Sequence, residues 1–446
     1  MLTVNSLGMR RDTYSSLKST PYWWDGAPLS RPVVETPLEP VDVAIVGGGL
    51  SGLFTALHLA RGGLKVAVLE AEIFGLHAST RNFGAIGRTI RLSFSELAKR
   101  DGIEKAIRVF EEAKAWVEFT AGFIEREGID CRFYRNGRVV AAHSRKAYDA
   151  SARELEFTAR HIELDTALLE PHAMQEELGS KVYHGGVVLS DVGHLDPGRY
   201  FSGLFEKVVE SGVSLYEQCR VNFIEKVPHG HRLLTPNGYI SAREVVLTTN
   251  AETGADYGLF RYFRRRMVPI PVYSAVSEPL DPELLNSVVP KHRTILETRR
   301  LYTALRPIDP ENRLIVVSRH FCRYRNIHKA AHEVKEDILV RYPQLAGLSF
   351  SHLWEGRFGV TFDWLPHFGT HEGIHYLLGL NGAGVPATGY LANKLTQRIL
   401  GQPNQESVFA DTPFPSHIGY SGNPWFLPTL GYYYRWLDRR ESGLVR

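Results

Sequence analysis

The chain has 446 residues, of which 43% are hydrophobic and 23% charged, a composition typical of a globular protein with two domains. Its formal net charge of +3 excludes a strongly basic surface, so we expect no nucleic-acid partner. The three cysteines are widely spaced and odd in number, which predicts a reducing compartment and no metal centre. We find neither a signal peptide nor an apolar run long enough to span a membrane. We therefore expect a cytoplasmic protein with no transmembrane segment.

A β-α-β unit follows a polar, proline-rich extension, residues 1–39. VDVAIV, residues 41–46, predicts a short buried strand, LFTALHLARGG predicts a helix that ends at a glycine pair, and KVAVLEA predicts a second strand. Gly47, Gly49 and Gly52 join the first strand to the helix with the spacing G-x-G-x-x-G. Glycine lets backbone amides approach a pyrophosphate, and the helix N-terminus stabilises its charge, so this loop indicates a bound dinucleotide.

The residues after this unit favour FAD over a nicotinamide cofactor. Glu70 ends the second predicted strand, where an acidic residue can bind a ribose hydroxyl and would repel the extra phosphate of NADP. The next stretch, GLHASTRNFGAIGR at residues 75–88, is rich in glycine and in hydrogen-bond donors. A flavin needs such a loop along its ring, whereas a nicotinamide enzyme does not.

The remaining chain alternates between helical and strand-like stretches. Residues 95–127 carry apolar positions at spacings of three and four, which predicts amphipathic helices. Strand-like runs dominate from 132 to about 325, with one predicted helix at 199–212. A second glycine-rich loop, GLNGAGVPATGYLANKL at 379–395, leads into another helix.

Several stretches together resemble the D-amino-acid-oxidase-like flavoproteins, which include glycine, sarcosine and glutamylputrescine oxidases. The similarity extends from about residue 20 to about 440, and the tail is most similar to the glutamylputrescine-oxidase-like branch. The matching stretches are YWWDGAP, GLHASTRNFGAIGR, GHLDPGRYFSGL, VVLTTNAETG, WEGRFGVTFDWLPHFG, GLNGAGVPATGYLANKL and NPWFLPTLGYYYRWLDR.

The resemblance implies an α/β fold in which an FAD-binding Rossmann-type domain is interleaved with a mostly antiparallel β substrate domain, the D-amino-acid-oxidase/glutathione-reductase-like architecture. The predicted segments are 40–95, 190–255 and 350–400 for the FAD-binding domain, 96–189 and 256–349 for the substrate domain, and 401–446 for an aromatic-basic tail. This tail could contact a membrane surface peripherally or pack across the domain junction.

The resemblance also implies FAD bound without a covalent link, although His77 is near enough in sequence to be considered for one. Val221 is expected to meet the adenine through its backbone. The chain departs from the family pattern at Ala383, where a His is frequent, and at Thr80, where a Gly is usual. The predicted cofactor contacts are Gly47, Gly49, Leu50, Ser51, Gly52, Glu70, Ala71, His77, Ala78, Ser79, Arg81, Asn82, Phe83, Gly84, Ala85, Val221, Thr249, Asn250, Asn381, Gly382, Ala383, Gly384 and Val385.

The activity implied by the resemblance is oxidation of the C–N bond of a small amine or amino acid to an imine, which hydrolyses to an aldehyde or keto acid. Oxygen or an electron carrier would take the electrons, and the sequence does not separate an oxidase from a dehydrogenase. One alternative is a non-catalytic flavin-bearing assembly or scaffold protein of the same fold. Another, flavin-dependent tRNA modification, is disfavoured by the low net charge.

The resemblance also bears on substrate recognition. Amine substrates in such enzymes commonly carry an anionic group, which arginine binds bidentately, but any one arginine can equally be a solvated surface charge. The arginines considered are Arg299, Arg300, Arg306 and Arg319. The predicted pocket residues are Tyr273, Tyr302, Arg306, Trp354 and Arg357, and no catalytic acid or base is nominated.

Overall fold

The computed structural model describes residues 16–29, 39–253, 258–319, 321, 326–403 and 406–442. Most of the predicted N-terminal extension, Cys322 and the last four residues therefore lie outside the described residues. The strands are β1 (Val41–Val46), β2 (Val66–Leu69), β3 (Ala85–Ile86), β4 (Arg138–Ala141), β5 (Thr166–Leu169), β6 (Gly186–Leu189), β7 (Gly193–His194), β8 (Ser214–Tyr216), β9 (Phe223–Val227), β10 (Gly230–Thr235), β11 (Gly238–Leu247), β12 (Val268–Ser277), β13 (Thr294–Glu297), β14 (Thr303–Ile308), β15 (Arg313–Ser318), β16 (Phe350–Val360), β17 (His367–His371) and β18 (Ile374–Leu378). The helices are α1 (Trp23–Gly26), α2 (Leu50–Arg61), α3 (Ala78–Arg81), α4 (Phe94–Asp101), α5 (Ile103–Glu127), α6 (Arg145–Ala159), α7 (Pro197–Glu210), α8 (Gly258–Arg264), α9 (Pro282–Val288), α10 (Ile327–Leu339), α11 (Gly384–Ile399) and α12 (Leu427–Ser442).

The first sheet contains the predicted β-α-β unit. Its strand order is β17-β18-β11-β1-β2-β8, with β10 and β9 attached to β11, and β1 pairs in parallel with both β11 and β2. Val43 and Ile45 on β1 pack with Phe54 on α2 in one hydrophobic core. A parallel strand covered on both faces needs mostly apolar side chains, which is why VDVAIV, apolar except for the partly buried Asp42, and VAVL form these strands.

The second sheet is mostly antiparallel. Its order is β16-β12-β15-β14-β13-β4-β6-β5, and β13 with β4 is a parallel pair. The apolar face of α10 packs into the core of this sheet. Two sheets of these kinds, interleaved along the chain, confirm the predicted fold class.

Two elements lie elsewhere than the predicted domain boundaries place them. Helix α5 falls in the segment predicted for the substrate domain, but its Trp116 and Phe123 are buried in the core of the first sheet. Strand β16 falls in the segment predicted for the FAD-binding domain, but it pairs with β12 in the second sheet. The amphipathic pattern predicts that α5 is a helix, and the strand pattern predicts that β16 is a strand. Neither pattern shows which hydrophobic core the element joins, because that depends on tertiary packing.

The tail helix α12 packs with one face against the second sheet. The buried carboxylate of Asp438 accepts hydrogen bonds from the Arg300 side chain, at 3.0 Å, and from the Leu301 amide, at 2.9 Å. The tail also exposes an aromatic surface at Trp425, Tyr432, Tyr433 and Trp436. In the part of the chain that the structure describes, no helix is long and apolar enough to cross a membrane, and no group of side chains is arranged to hold a metal ion.

Candidate functional site

A cavity of about 580 Å³ opens at the carboxyl ends of the parallel strands in the first sheet. Val46, Leu69 and Thr248, which end or follow β1, β2 and β11, all line it. The volume is in the usual range for a ligand site, and the carboxyl edge of a parallel sheet is the usual place for one.

The glycines of the first loop have two different roles. A Cβ at Gly52 would lie 1.9 Å from the Gly47 carbonyl oxygen, so glycine is required there for α2 to pack against the loop. Gly49 instead lines the cavity at the N-cap of α2, where a Cβ would meet only the Ser79 hydroxyl, at 2.8 Å. The open side of Gly49 and the positive end of α2 suit a pyrophosphate.

Glu70 lies on the same wall and is held by the backbone. Its carboxylate oxygens accept hydrogen bonds from the Gly48 amide, at 2.7 Å, and from the Glu72 amide, at 2.9 Å. A carboxylate has about four lone-pair positions, so both oxygens can still accept from a ribose hydroxyl. Val221, which was predicted to meet the adenine, lines this end of the cavity as well.

The loop after β2 is fixed to the first loop by side-chain hydrogen bonds. The Ser79 hydroxyl accepts from the Leu50 amide at 2.9 Å, next to the N-terminus of α2. Thr80, where the family usually has Gly, is buried. Its hydroxyl donates to the Gly75 carbonyl at 2.7 Å and accepts from the Trp24 indole at 2.8 Å, so its polar group has partners. The threonine is therefore accommodated by hydrogen bonds that a glycine could not make.

Most predicted cofactor residues line the cavity. The exceptions are Gly52, Arg81, Gly84, Asn381 and Ala383. Arg81 donates to the Leu76 carbonyl at 2.6 Å and to the Glu355 carbonyl at 3.0 Å, which ties the loop to β16. A Cβ at Gly84 would lie 2.0 Å from the Leu195 carbonyl oxygen, so this glycine permits a close approach of two backbones. Arg81 and Gly84 therefore support the wall, and contact of all five positions with the cofactor stays a prediction.

The second glycine loop brings the start of α11 to the cavity. Asn381 has a φ of +50°, and its side-chain oxygen accepts from the Thr361 amide at 2.9 Å, which fixes the loop from behind. Gly382, Gly384 and Val385 line the wall. The N-terminus of a helix carries partial positive charge, so this end of the cavity favours an anionic edge of a ligand.

Arg357 is the one predicted substrate-pocket residue that lines this cavity. Its guanidinium lies 3.5 Å from a Glu252 carboxylate oxygen and 3.9 Å from one of Glu355. Tyr273 donates to Glu355 at 3.0 Å, and the indole of Trp354 donates to a backbone carbonyl, both from buried positions behind the wall. Arg357 is thus already paired with acids, and Tyr273 and Trp354 support the wall instead of lining it.

Arg306 was predicted to line the substrate pocket, but the structure buries its side chain among backbone carbonyls, where it has a structural role. Its guanidinium donates to the Phe83 carbonyl at 3.0 and 3.1 Å, to Leu195 at 3.1 Å and to Pro307 at 2.9 Å. Burial lowers the pKa of Arg306 to about 10. Each of the three guanidinium nitrogens donates to a carbonyl, and these bonds use four of the five N–H groups, which disfavours a role for Arg306 as the ligand of a substrate anion.

The other arginines considered as anion ligands differ in their surroundings. Arg299 pairs with Glu297 and Asp337, and Arg300 pairs with Asp438 and Glu441, so both are structural ion pairs. Arg319 instead lies over the ring of Tyr302, with 5.5 Å between its guanidinium carbon and the ring centroid.

Sequence reasoning missed several residues of the wall. They are mostly neighbours of predicted positions, among them Gly48, Glu72, Thr248, Ala251 and Glu252, together with Arg220, Phe260, Phe358 and Thr388. A Cβ at Gly48 would lie 2.3 Å from the Phe74 ring, a contact between loops that no local pattern reveals. Thr248 and Phe358 stand inside the stretches that carried the resemblance, which is the signal that could have found them.

Together, the parallel sheet, its glycine loop and the second glycine loop at one cavity define a dinucleotide-binding α/β protein. The chain belongs to the FAD dependent oxidoreductase family (DAO), whose model matches residues 42–398. This confirms the predicted resemblance and the predicted cofactor, FAD. The cavity fits FAD because glycines open its wall at the α2 end and a second helix N-terminus meets it at the other.

Individual relatives agree with the family. The chain is 26% identical over 407 residues to a probable oxidoreductase, OrdL, of Haemophilus influenzae, covering 91% of this chain and 93% of that protein. It is 28% identical over 374 residues to gamma-glutamylputrescine oxidoreductase of Escherichia coli, covering 83% and 86%. The crystal structure of glycine oxidase from Geobacillus kaustophilus superposes with a TM-score of 0.67 at 24% identity, covering 85% of this chain and all of that one.

Proposed function

We propose that the protein oxidises the C–N bond of a small amine or amino acid to an imine, which water hydrolyses to an aldehyde or keto acid. The observation that carries the proposal is one cavity that joins the dinucleotide loop to the start of α11 in a chain of the FAD-dependent oxidoreductase family. FAD held in this cavity would supply a hydride acceptor for the carbon beside the nitrogen. Relatives named for glutamylputrescine and for glycine favour an amine or amino acid as the donor.

The chain's own residues bind and orient the cofactor in this proposal. The Gly49 and Ser51 amides, at the start of α2, hold the pyrophosphate, Glu70 accepts from the ribose, and Val221 meets the adenine. The residues from Gly382 to Val385 hold the flavin edge, where the helix N-terminus stabilises negative charge. These positions share one cavity wall, which supports the assignment.

His77 lies between two acidic side chains on the cavity wall. One ring nitrogen of His77 lies 3.7 Å from a Glu72 carboxylate oxygen, and the other lies 3.8 Å from a Glu252 carboxylate oxygen. Because each ring nitrogen faces an acid, we favour His77 as a polar residue of the wall beside an FAD that is not covalently linked to it. Hydride loss requires the amine in its neutral form, because an ammonium has no lone pair, and the protein must therefore bind or release the amine's proton before oxidation.

Oxygen or an electron carrier is the proposed acceptor, and a cytoplasmic location is part of the proposal. Cys131 and Cys219 are both buried and unpaired, which is compatible with a reducing compartment. A peripheral membrane contact would use the exposed aromatic residues of the tail, whose opposite face packs on the protein.

The experiment that tests the function is an anaerobic titration of the purified holoprotein with amines and amino acids, followed by its visible spectrum. Loss of the oxidised flavin bands with one compound supports the proposal and identifies the donor. Admission of air then separates oxidase from dehydrogenase by the rate at which the bands return. A flavin that no compound in a broad panel reduces would contradict the proposal and favour the scaffold alternative.

A further inference from the structure

The tail helix α12 has one side packed on the protein and one side open to solvent. Its inner side joins a hydrophobic cluster through Leu427, Leu430 and Tyr434. The exposed side chains recur at spacings of three and four, which places them together on the other side of the helix. These side chains, which we call the aromatic-basic face, are Tyr432, Tyr433, Trp436, Arg439 and Arg440.

Large hydrophobic side chains are strongly exposed in this helix and in the loop before it. The three that are most exposed among the described residues are Ile418 at 98%, Tyr432 at 73% and Trp425 at 70%. The loop itself is anchored, because the rings of Tyr420 and Phe426 pack with 6.2 Å between their centroids. Ile418 and Trp425 therefore stay exposed on an ordered part of the structure. A concentration of exposed apolar groups of this kind marks an interaction surface.

The charges of α12 are divided between its two sides. Its two acids, Asp438 and Glu441, both pair with Arg300 on the side that faces the second sheet. Its three cations form no ion pair in the part of the chain that the structure describes, and they are Arg435, Arg439 and Arg440. The outward side of the helix therefore carries positive charge that its own acids do not neutralise.

A second basic stretch lies beside the loop that precedes α12. A Cβ at Gly422, in this loop, would lie 2.3 Å from Cγ of Arg264, so the loop touches the end of α8. Arg261 on α8 is exposed, and Arg265 follows the helix. Neither of these two arginines forms an ion pair with another described residue. The positive charge of the tail thus has a neighbour on a second element, as binding to an extended anionic surface requires.

The residue types favour a lipid bilayer as the occupant of this surface. Tyrosine and tryptophan combine an apolar ring with a polar tip, and they concentrate at the boundary between lipid headgroups and water. Arginine binds phosphate, and anionic lipids attract basic segments to the cytoplasmic leaflet. Ile418 has no polar group, so the apolar layer below the headgroups suits its exposed side chain. A second copy of this chain would instead place the same arginines against each other across a two-fold axis, which is unfavourable.

We propose that the aromatic-basic face, with Ile418 and Trp425, binds the surface of a bilayer that contains anionic phospholipids. The arginines contact the lipid phosphates, and the aromatic rings lie at the level of the headgroups. Binding needs no change in the fold, because the inner side of α12 stays docked on the protein. This inference rests on the peripheral membrane contact named in the proposed function and deepens it by fixing the class of lipid. It does not depend on the proposed oxidation.

The test is cosedimentation of the holoprotein with phospholipid vesicles. One set of vesicles contains phosphatidylcholine alone, and the other contains equal amounts of phosphatidylcholine and phosphatidylglycerol. We expect at least about tenfold tighter binding to the anionic vesicles, and we expect added salt to weaken it because exposed charges are screened. Equal binding to both sets, or no binding to the anionic set, would overturn the inference. A dimer that Trp436→Ser dissociates, without vesicle binding, would also overturn it and favour a second copy of the chain.

Variants at exposed positions identify the face. Arg439→Gln combined with Arg440→Gln should weaken binding to the anionic vesicles by roughly 10- to 30-fold, because each arginine near an anionic surface contributes about fivefold. Trp436→Ser should weaken it at least about fivefold. The matched control is Tyr239→Ser on β11 of the first sheet: Tyr239 is 55% exposed and lies 4.7 Å below Arg232, much as Trp436 lies 5.6 Å below Arg440. Unchanged binding in the arginine and tryptophan variants, or an equal loss in the control, would overturn the assignment.

Tryptophan fluorescence gives a second measurement on the unmodified chain. Phospholipids brominated in their acyl chains quench a tryptophan that enters the bilayer surface, so anionic vesicles of such lipids should quench the wild type. A variant with Trp425→Phe and Trp436→Phe should lose this quenching. Absence of quenching in the wild type would overturn the inference. Flavin reduction by an amine without vesicle binding refutes only this inference, whereas vesicle binding without reduction by any amine refutes only the proposed oxidation.

Discussion

Replacement of the buried Arg306 by Met should destabilise the fold far more than it affects substrate recognition. The side chain is 3% exposed and donates four hydrogen bonds to the carbonyl oxygens of Phe83, Leu195 and Pro307. Methionine has a similar length and no donor, so the three buried acceptors would lose their partner.

The size of the effect follows from two opposing terms. Each buried acceptor without a partner costs about 1–3 kcal/mol. Burial lowers the pKa of Arg306 to about 10 from 12.5, so removal of the charge recovers roughly 3 kcal/mol of desolvation. We expect the free energy of unfolding to fall by about 3 kcal/mol, with FAD affinity also reduced because Phe83 lines the cavity.

The assay is urea unfolding of the apoprotein and of the holoprotein, with the midpoint and slope recorded for each. Arg306→Lys should recover only part of the stability, because one ammonium cannot reach the three carbonyls. Arg243→Met is the control, because the Arg243 side chain is 67% exposed. Wild-type stability of the Arg306→Met protein together with a large rise in KM for the substrate would refute this reasoning and restore Arg306 as a substrate ligand.

Three further predictions follow from the cofactor loop and the tail helix. Gly52→Ala should prevent correct folding of the FAD-binding sheet, because its Cβ would lie 1.9 Å from the Gly47 carbonyl oxygen; a soluble variant that binds FAD like the wild type would contradict this. Gly49→Ala should change the unfolding free energy of the apoprotein by only about 1 kcal/mol but weaken FAD binding in a fluorescence titration, and unchanged affinity would place the pyrophosphate elsewhere. The hydrogen bond from Arg300 lowers the pKa of Glu441 from 4.5 to about 2, so the stabilisation that Glu441 gives to the docking of α12 is present above pH 4.5 and is lost as the pH falls toward 2. An acid titration of tryptophan fluorescence should show this transition in the wild type and lose it in Glu441→Gln, and identical curves would exclude Glu441 as its cause.

The elements that sequence patterns predicted well are those whose cause is local. The strand at 41–46, the glycine turn and the helix from Leu50 are specified by an apolar run, a fixed glycine spacing and a helical period, and the structure contains all three. The roles within the loop were harder to separate, because Gly49 and Gly52 look alike in sequence. Only the position of the neighbouring backbone shows that one opens the cavity and the other lets α2 pack.

The substrate end of the site depends on contacts between segments far apart in the chain. Arginines are frequent in this sequence, and Arg306 and Arg319 both stand beside strand-like stretches that look equally suited to a pocket. The fold separates them, because the donors of Arg306 meet three carbonyls, whereas Arg319 Nε meets none among the described residues.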